Sequence, residues 1–547
     1  MNESEVTRRG FLRASGAALA AGVLPGTAAS EGTGPTSRAA PSGEGAPAPS
    51  ERPNLILFMP DELRADSLAC YGNPITRTPN FDRLASDGAR FENCHVQFPV
   101  CGASRCSMLT GWPASVRGHR SLYYFLRPEE PNLFRYLKQG GYDVYWFGKN
   151  DALAAQSFYD SVTEWSDRGT PVPVPAGSAP TWSFTPTGVT PGSYSFLYPA
   201  LGDRRATADY ALVRAAIAVL ERKERDRPFC LFIAGAEPHP PYMAPADFHD
   251  MYAPASLPPL VPPGLRDKPD FHAGIRETYG LTKLSADTFR KIRAVYYGQV
   301  SYTDWLLGEM LEALERTNHA RDTAVFCTSD HGDYAGDFGL VEKWPSGLED
   351  ALTHVPLIAR VPGGARGVVA SDTVELYDVM QTCLDLAGIP ARHTHFARSL
   401  MPQLTGGRGD PNRAAFAEGG YNVYEPQCFE PMGAGGGPYT GKIRLQNERP
   451  ETVSRSAMVR TREGKLVARP NGQNELYRYA ADPRETENLY GQRAAAALQD
   501  DLQRRLLHWY IDTTGVAPMD KDQRDPPPFY PNRAAPPAGW QRTLLDR

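Results

Sequence analysis

Residues 54–62, "NLILFMPDE", decide the fold. Leu55 to Met59 is an unbroken apolar run, too short for a helix hidden on every side, and it stops at Pro60 with two acids behind it. A strand buried on both faces reads this way, and a sheet hides both faces only when helices cover each of them. Polar residues directly after such a strand lie at its carboxyl end, which is where open α/β sheets bind ligands.

The pattern recurs along the chain. "GYDVYWFGKND" (141–151), "RPFCLFIAGAEPHPP" (227–241) and "DTAVFCTSDHGD" (322–333) are apolar runs that end in polar residues. Between them, "TPNFDRLASDGARF" (78–91), "ATADYALVRAAIAVLERKE" (206–224) and "DTFRKIRAVYYGQVSYTDWLLGEMLEALERT" (287–317) carry helical periodicity. The alternation predicts an α/β domain over residues 52–423 with a mostly parallel mixed sheet. Segments 168–204 and 240–281, rich in Pro, Gly and aromatics, are too long for simple connections and are expected to wall a cleft. From Tyr424 the texture changes. "SAMVRTREGKLVARP" (456–470) and "ELYRYAADPRETENLY" (475–490) predict a small antiparallel sheet, and "AAAALQDDLQRRLLHWYI" (494–511) a closing helix, giving an α+β subdomain and tail over 424–547.

The 547 residues are 41% hydrophobic and 22% charged, with a net charge of -5 and no polybasic block, which argues against a nucleic-acid partner or an anionic membrane. "TRRGFLR" (7–13) precedes the small-residue apolar run "ASGAALAAGVL" and then "GTAAS", the order of an export signal, and Arg8-Arg9 with Phe11-Leu12 resembles the twin-arginine type. Residues 1–29 are therefore read as a signal, 30–51 as a disordered linker, and the protein as periplasmic or extracellular; the apolar run is too short for stable membrane insertion. The twin-arginine route carries folded cargo, which suits a protein that gains a metal or a modification in the cytoplasm. The eight cysteines lack the paired spacings of a zinc site and are expected to be mostly buried and reduced. Cys101, four residues before Arg105, is the one that needs explaining.

Candidate chemistry gathers at the strand ends: Asp61-Glu62, Lys149 and Asp151, His239, Asp330-His331, then Lys343 and His354. The two acidic sets can converge on one cation, since hard divalent ions take oxygen ligands, while the histidine taken alone suits Mn²⁺ or Zn²⁺ better than Ca²⁺. Each residue also has an ordinary reading. Cys101 can be a packed thiol, Arg105 an ion pair, Asp151 a helix cap, His239 a turn residue, and Lys343 a lysine resting on Trp344. The joint pattern, not any one residue, favours a site.

"CGASRCSMLTG" (101–111) resembles the signature of the formylglycine-dependent sulfatases, in the sulfatase and phosphonate monoester hydrolase branch of the alkaline phosphatase superfamily. Further segments resemble that family in its order: "NLILFMPDELRADSLACYGN", "TPNFDRLASDGARFENCHVQFPVC", "GYDVYWFGKND", "EPHPPY", "TSDHGDYAGDFGLVEKW", "THVPLIARVPG" and "ELYRYAADPRETENLY". The resemblance implies the alkaline-phosphatase-like α/β/α sandwich with a small C-terminal subdomain. It implies that Cys101 is oxidised to formylglycine (3-oxoalanine) by a formylglycine-generating or anaerobic sulfatase-maturating enzyme. A hydrated aldehyde offers one hydroxyl to attack sulfur and a second whose deprotonation expels sulfate, whereas a thiol would leave a stable adduct. By the same resemblance Asp61, Glu62, Asp330, His331 and residue 101 hold one divalent cation, Ca²⁺ first and Mn²⁺, Mg²⁺ or Zn²⁺ otherwise. Arg105 steadies the nucleophile, Lys149 and Lys343 contact sulfate oxygens, His239 protonates the leaving alcohol and His354 touches substrate.

The chain departs from the family at several positions. Lys149-Asn150-Asp151 stands where Lys-x-His is usual, so Asp151 replaces the second histidine as base or selects the substrate; Glu62 stands for aspartate, His331 for asparagine, Ala103 for proline and His354 for arginine. The expected activity is hydrolysis of an aryl, alkyl or carbohydrate sulfate. The alternatives are a phosphonate monoester or phosphodiester hydrolase, or a sulfated-glycan binder without turnover if Cys101 stays a thiol.

Overall fold

The computed structural model describes residues 52–170, 196–222, 227–431 and 439–517. The signal and linker segments, most of the segment 168–204 and the end of the tail lie outside the described residues. Among the described residues no helix is long and apolar enough to cross a membrane.

The strands of the main sheet are β1 (Asn54–Met59), β2 (Ala89–His95), β3 (Asp143–Gly148), β4 (Glu164–Ser166), β5 (Phe229–Ala234), β6 (Thr323–Thr328), β7 (His354–Arg360) and β8 (Val368–Glu375). They pair in the order β4-β3-β5-β1-β6-β7-β2-β8, and all neighbours are parallel except that β7 runs antiparallel to both β6 and β2. β1 sits near the middle, with Leu55 opposite Cys230 on one side and Ala324 on the other.

Successive β1 side chains enter opposite cores, as a strand's period of two demands. Ile56 and Phe58 pack in one core with residues of the helices Ala208–Leu220 and Ala286–Arg316. Leu55, Leu57 and Met59 enter the other core with residues of α2 (Cys101–Thr110), α3 (Leu133–Gln139) and the helix Asp378–Ala387. The unbroken apolar reading of β1 thus corresponds to a strand with every residue buried.

The first helix, α1 (Pro79–Asp87), shows how long-range contacts finish what local sequence leaves open. Its N-cap residue Thr78 makes no side-chain cap. Instead Asp304, from the helix Ala286–Arg316, accepts the N–H groups of Asn80 and Phe81 on one carboxylate oxygen at 2.9 Å each, and the Asn80 side-chain amide on the other at 2.9 Å. Asp304→Ala would leave two helix N–H groups without acceptors in a buried place, so we expect a loss of ~2–3 kcal/mol in denaturant unfolding. A midpoint within error of the parent would refute the cap.

The second sheet is antiparallel, in the order β12-β11-β10-β9, with β9 (Ala415–Gly419), β10 (Ser456–Arg460), β11 (Gly464–Ala468) and β12 (Glu475–Arg478). The closing helix Ala496–Thr513 covers it through Leu498, Leu502, Leu506 and Trp509. Strand β9 lies upstream of residue 424, and the Glu418 N–H donates to Gln97 O at 2.9 Å, so the small sheet grips the loop that leads into α2.

Candidate active site

Four neighbouring parallel strands, β3, β5, β1 and β6, deliver their next residues to one edge of the sheet: Lys149, His239, Asp61-Glu62 and Asp330-His331. α2 begins at Cys101 and brings its first residue to the same place. The end of β3 shows the local cost of this arrangement. Gly148 has φ 111°, and a Cβ there would lie 2.1 Å from Ala234 O, so only glycine lets the chain turn so close to β5 and present Lys149.

Cys101 Sγ lies 3.1 Å from His331 Nε2, 3.5 Å from Asp61 Oδ1 and 3.5 Å from Lys149 Nζ. His331 Nδ1–H donates to Gly332 O at 2.9 Å, which fixes the tautomer and leaves the Nε2 lone pair facing the site. Asp330 accepts the Glu62 and His331 N–H groups on Oδ1 and Arg105 Nε–H on Oδ2 at 2.8 Å. Arg105 also donates to Asp61 Oδ2 at 3.3 Å, and all three side chains are fully buried. Lys149 Nζ bridges Asp61 Oδ2 at 2.8 Å and Asp151 Oδ2 at 2.9 Å from the open side of the site, where it is one-third exposed.

Glu62 takes a different direction. Its φ is 64°, the left-handed region that a non-glycine residue enters only under constraint. The constraint is visible in the Tyr296 hydroxyl, which donates to Glu62 O and accepts from Arg64 N–H. The Glu62 carboxylate meets the Lys343 ammonium in a short contact and His239 Nε2 at 3.1 Å, and its Oε2 is buried without a hydrogen-bond partner. His239 Nδ1–H donates to Pro240 O at 2.6 Å, which turns Nε2 toward Lys343 Nζ at 2.9 Å.

Burial and charge set the protonation of these groups. Burial would raise Asp61, but the charges of Lys149 and Arg105 outweigh it and hold the carboxyl well below the usual carboxylate range. Glu62 goes the other way: burial raises it well above that range, and Asp333, Asp61 and Glu342 add to the rise against Lys343. Burial, with Asp61 adding, pushes the Cys101 thiol well up despite Lys149 and Lys343. Burial and Lys343 push His239 well down, so its ring is neutral.

The donor atoms of Asp61, Cys101, Asp330 and His331 lie within 4.8 Å of one another, and those of Asp61, Glu62 and His239 form a second such group. The carboxylate oxygens of Asp61 and Asp330 beside one oriented imidazole fit a hard divalent cation. Glu62 stands apart from the first set because its carboxylate is drawn to Lys343 and His239.

Ten of the eleven residues singled out in the sequence meet in this cage. His354 does not. It stands at the start of β7, where Nε2 donates to Glu92 O at 2.7 Å and the ring stacks on His95, against a neighbouring cavity lined also by Tyr71 and Asp350. Tyr242, in the segment 240–281, is fully buried with its hydroxyl donating to Asp333 Oδ1. Sequence reading missed Asp333, whose only signal is its place two residues after His331, and it missed Glu342 and Lys442, described below. All eight cysteines are free, and all but Cys70 are buried.

A family model described as Sulfatase matches residues 53–389. Human iduronate 2-sulfatase is 32% identical over 344 residues, which is 57% of this chain and 60% of that protein. The choline-sulfatase of Rhizobium meliloti is 28% identical over 380 residues, covering 65% of this chain and 72% of the relative. Among solved structures, the phosphonate monoester hydrolase of Agrobacterium radiobacter superposes with a TM-score of 0.67 at 24% identity, covering 84% of this chain and 96% of that one.

Proposed function

Because the chain belongs to the sulfatase family, we propose that it hydrolyses an aryl, alkyl or carbohydrate sulfate ester to the alcohol and inorganic sulfate, using residue 101 as nucleophile after oxidation of its thiol to formylglycine. The observation that supports this most is the setting of Cys101. It opens α2 inside a cage of Asp61, His331 and Lys149, with Arg105 fixed beneath it by two buried carboxylates. Burial, with Asp61 adding, pushes the unmodified thiol up there, which makes it a poor nucleophile as it stands.

An aldehyde hydrate at position 101 supplies one hydroxyl to bond sulfur and a second to release the sulfate. Asp61, Asp330 and His331 would hold the divalent cation, Ca²⁺ first, which supplies Lewis acidity toward the sulfate oxygens. Lys149 and Lys343 bind and orient those oxygens in a site sheltered from water. Lys343 and His239 hold a proton between Nζ and Nε2, placed to reach the leaving alcohol. Asp151, paired with Lys149, is the base that stands where the family has its second histidine. The protein is further proposed to be matured by a formylglycine-generating enzyme or its anaerobic counterpart and exported by the twin-arginine route.

Two measurements test the reading. The purified protein should turn over a nitrophenyl sulfate faster than a nitrophenyl phosphonate monoester, and the peptide containing Cys101 should carry an aldehyde in place of the thiol; faster phosphonate turnover, or an intact thiol in active protein, overturns it. Exhaustive chelation should cut the rate at least ~100-fold, with recovery on adding Ca²⁺. A rate indifferent to chelator would remove the cation from the account.

A further inference from the structure

Lys343 is held by a second layer of charge that comes from far along the chain. The residue before it, Glu342, has φ 62° and is clamped at both ends of its backbone: its N–H donates to the Tyr242 hydroxyl at 2.9 Å, and its carbonyl accepts Tyr334 N–H at 3.1 Å. A left-handed glutamate costs free energy and persists only where its surroundings impose it. The result here is that Glu342 Oε1 receives two ammonium groups, Lys343 Nζ at 3.4 Å and Lys442 Nζ at 3.0 Å.

Lys442 is 2% exposed, as deep as Glu342 at 1% and Lys343 at 3%. It sits on the helix Thr440–Glu448, whose Leu445 packs against Gly274, and its ammonium also lies 3.8 Å from Glu430 Oε1. The groups form an alternating row: Glu430, Lys442, Glu342, Lys343, then Glu62 with His239. A buried lysine stays charged only beside anions, and Lys343 has the carboxyl groups of Glu62 and Glu342 against it.

We propose that Glu342 and Lys442 are positioning residues that fix where the Lys343 ammonium stands in the active site; this rests on the reading of Lys343 as a sulfate contact. Glu342 draws Lys343 one way while Glu62 draws it the other. Lys442 sets how strongly Glu342 pulls, by occupying the same carboxylate oxygen. With Glu342 neutral, Lys343 collapses onto Glu62; with Lys442 neutral, the whole attraction of Glu342 falls on Lys343 and draws it off His239.

The test compares Glu342→Gln, Lys442→Gln, the double variant and Lys442→Arg, with the cation present, for nitrophenyl sulfate turnover, inorganic sulfate binding by calorimetry, and melting. Each glutamine variant should lose ~10–100-fold in kcat, the scale of a misplacement of about 1 Å, with KM changing less than ~3-fold. The double variant should lose no more than the worse single one, since both act through one contact. Lys442→Arg should return to within ~3-fold of the parent, because it keeps the charge. A purely structural pair would lower the melting temperature and leave kcat alone. Parent-like kcat in both glutamine variants, or a double loss equal to the product of the singles, overturns the proposal. Should the glutamine variants not fold, Glu342→Asp keeps the charge and withdraws it by one methylene; lost kcat supports the proposal and unchanged kcat overturns it. A parent protein that binds sulfate without turnover would sink the sulfatase reading instead, and weakened sulfate binding in the variants would still support the positioning role, as unchanged binding would overturn it.

Discussion

Cys101→Ala should abolish sulfate ester hydrolysis, with a fall in kcat of at least ~10⁴-fold, because a reaction that runs through one covalent centre has no second route when that centre is gone. The protein should nevertheless fold. Cys101 is 1% exposed at the first turn of α2, and removing one sulfur atom there costs on the order of 1 kcal/mol. The pair of results matters more than either alone. A stable protein with no rate places residue 101 in the reaction, and a stable protein that keeps a measurable fraction of the rate would show that some other group attacks sulfur.

Arg105→Gln should do the opposite, damaging fold and function together. The guanidinium is 0% exposed, as are Asp61 and Asp330, and it holds both carboxylates at 3.3 and 2.8 Å. Truncating it leaves the buried Asp330 without its cation and Asp61 with Lys149 alone, and breaking a buried pair of this kind costs ~3–5 kcal/mol. Activity should fall with it, because Asp61 and Asp330 are the carboxylates proposed to hold the cation. The loss of stability should be smaller with millimolar Ca²⁺ than with chelator, since a bound cation returns positive charge to the same carboxylates. Melting curves under both conditions check this. An Arg105→Gln protein as stable as the parent in chelator would show that the two carboxylates do not depend on it.

The parts of the molecule that were legible in the sequence are those with a local signature. The apolar run Leu55–Met59 had to be a doubly covered strand, and the acids behind it had to lie at its carboxyl end. The sheet order could not be read, because β2 and β8 carry alternating polar residues and β4 has only three. Within the site, the family resemblance gathered Cys101, Arg105, Lys149, His239 and Lys343, and the structure brings them together. His354 stacks on His95 instead, since the start of an antiparallel neighbour reaches the same edge of the sheet without pointing into the cage. Asp304 and Lys442 had no signal at all. A carboxylate that caps a helix 224 positions away, or a lysine that meets a glutamate 100 positions upstream, leaves no trace in the spacing of its neighbours.

Those separations impose an order of events on the ribosome. The thiol of Cys101 and the imidazole of His331 stand 230 positions apart, so position 101 is synthesised and exposed long before the residues that enclose it exist. On the proposal that residue 101 is oxidised, access is greatest before those later residues are made, and the finished fold buries the thiol.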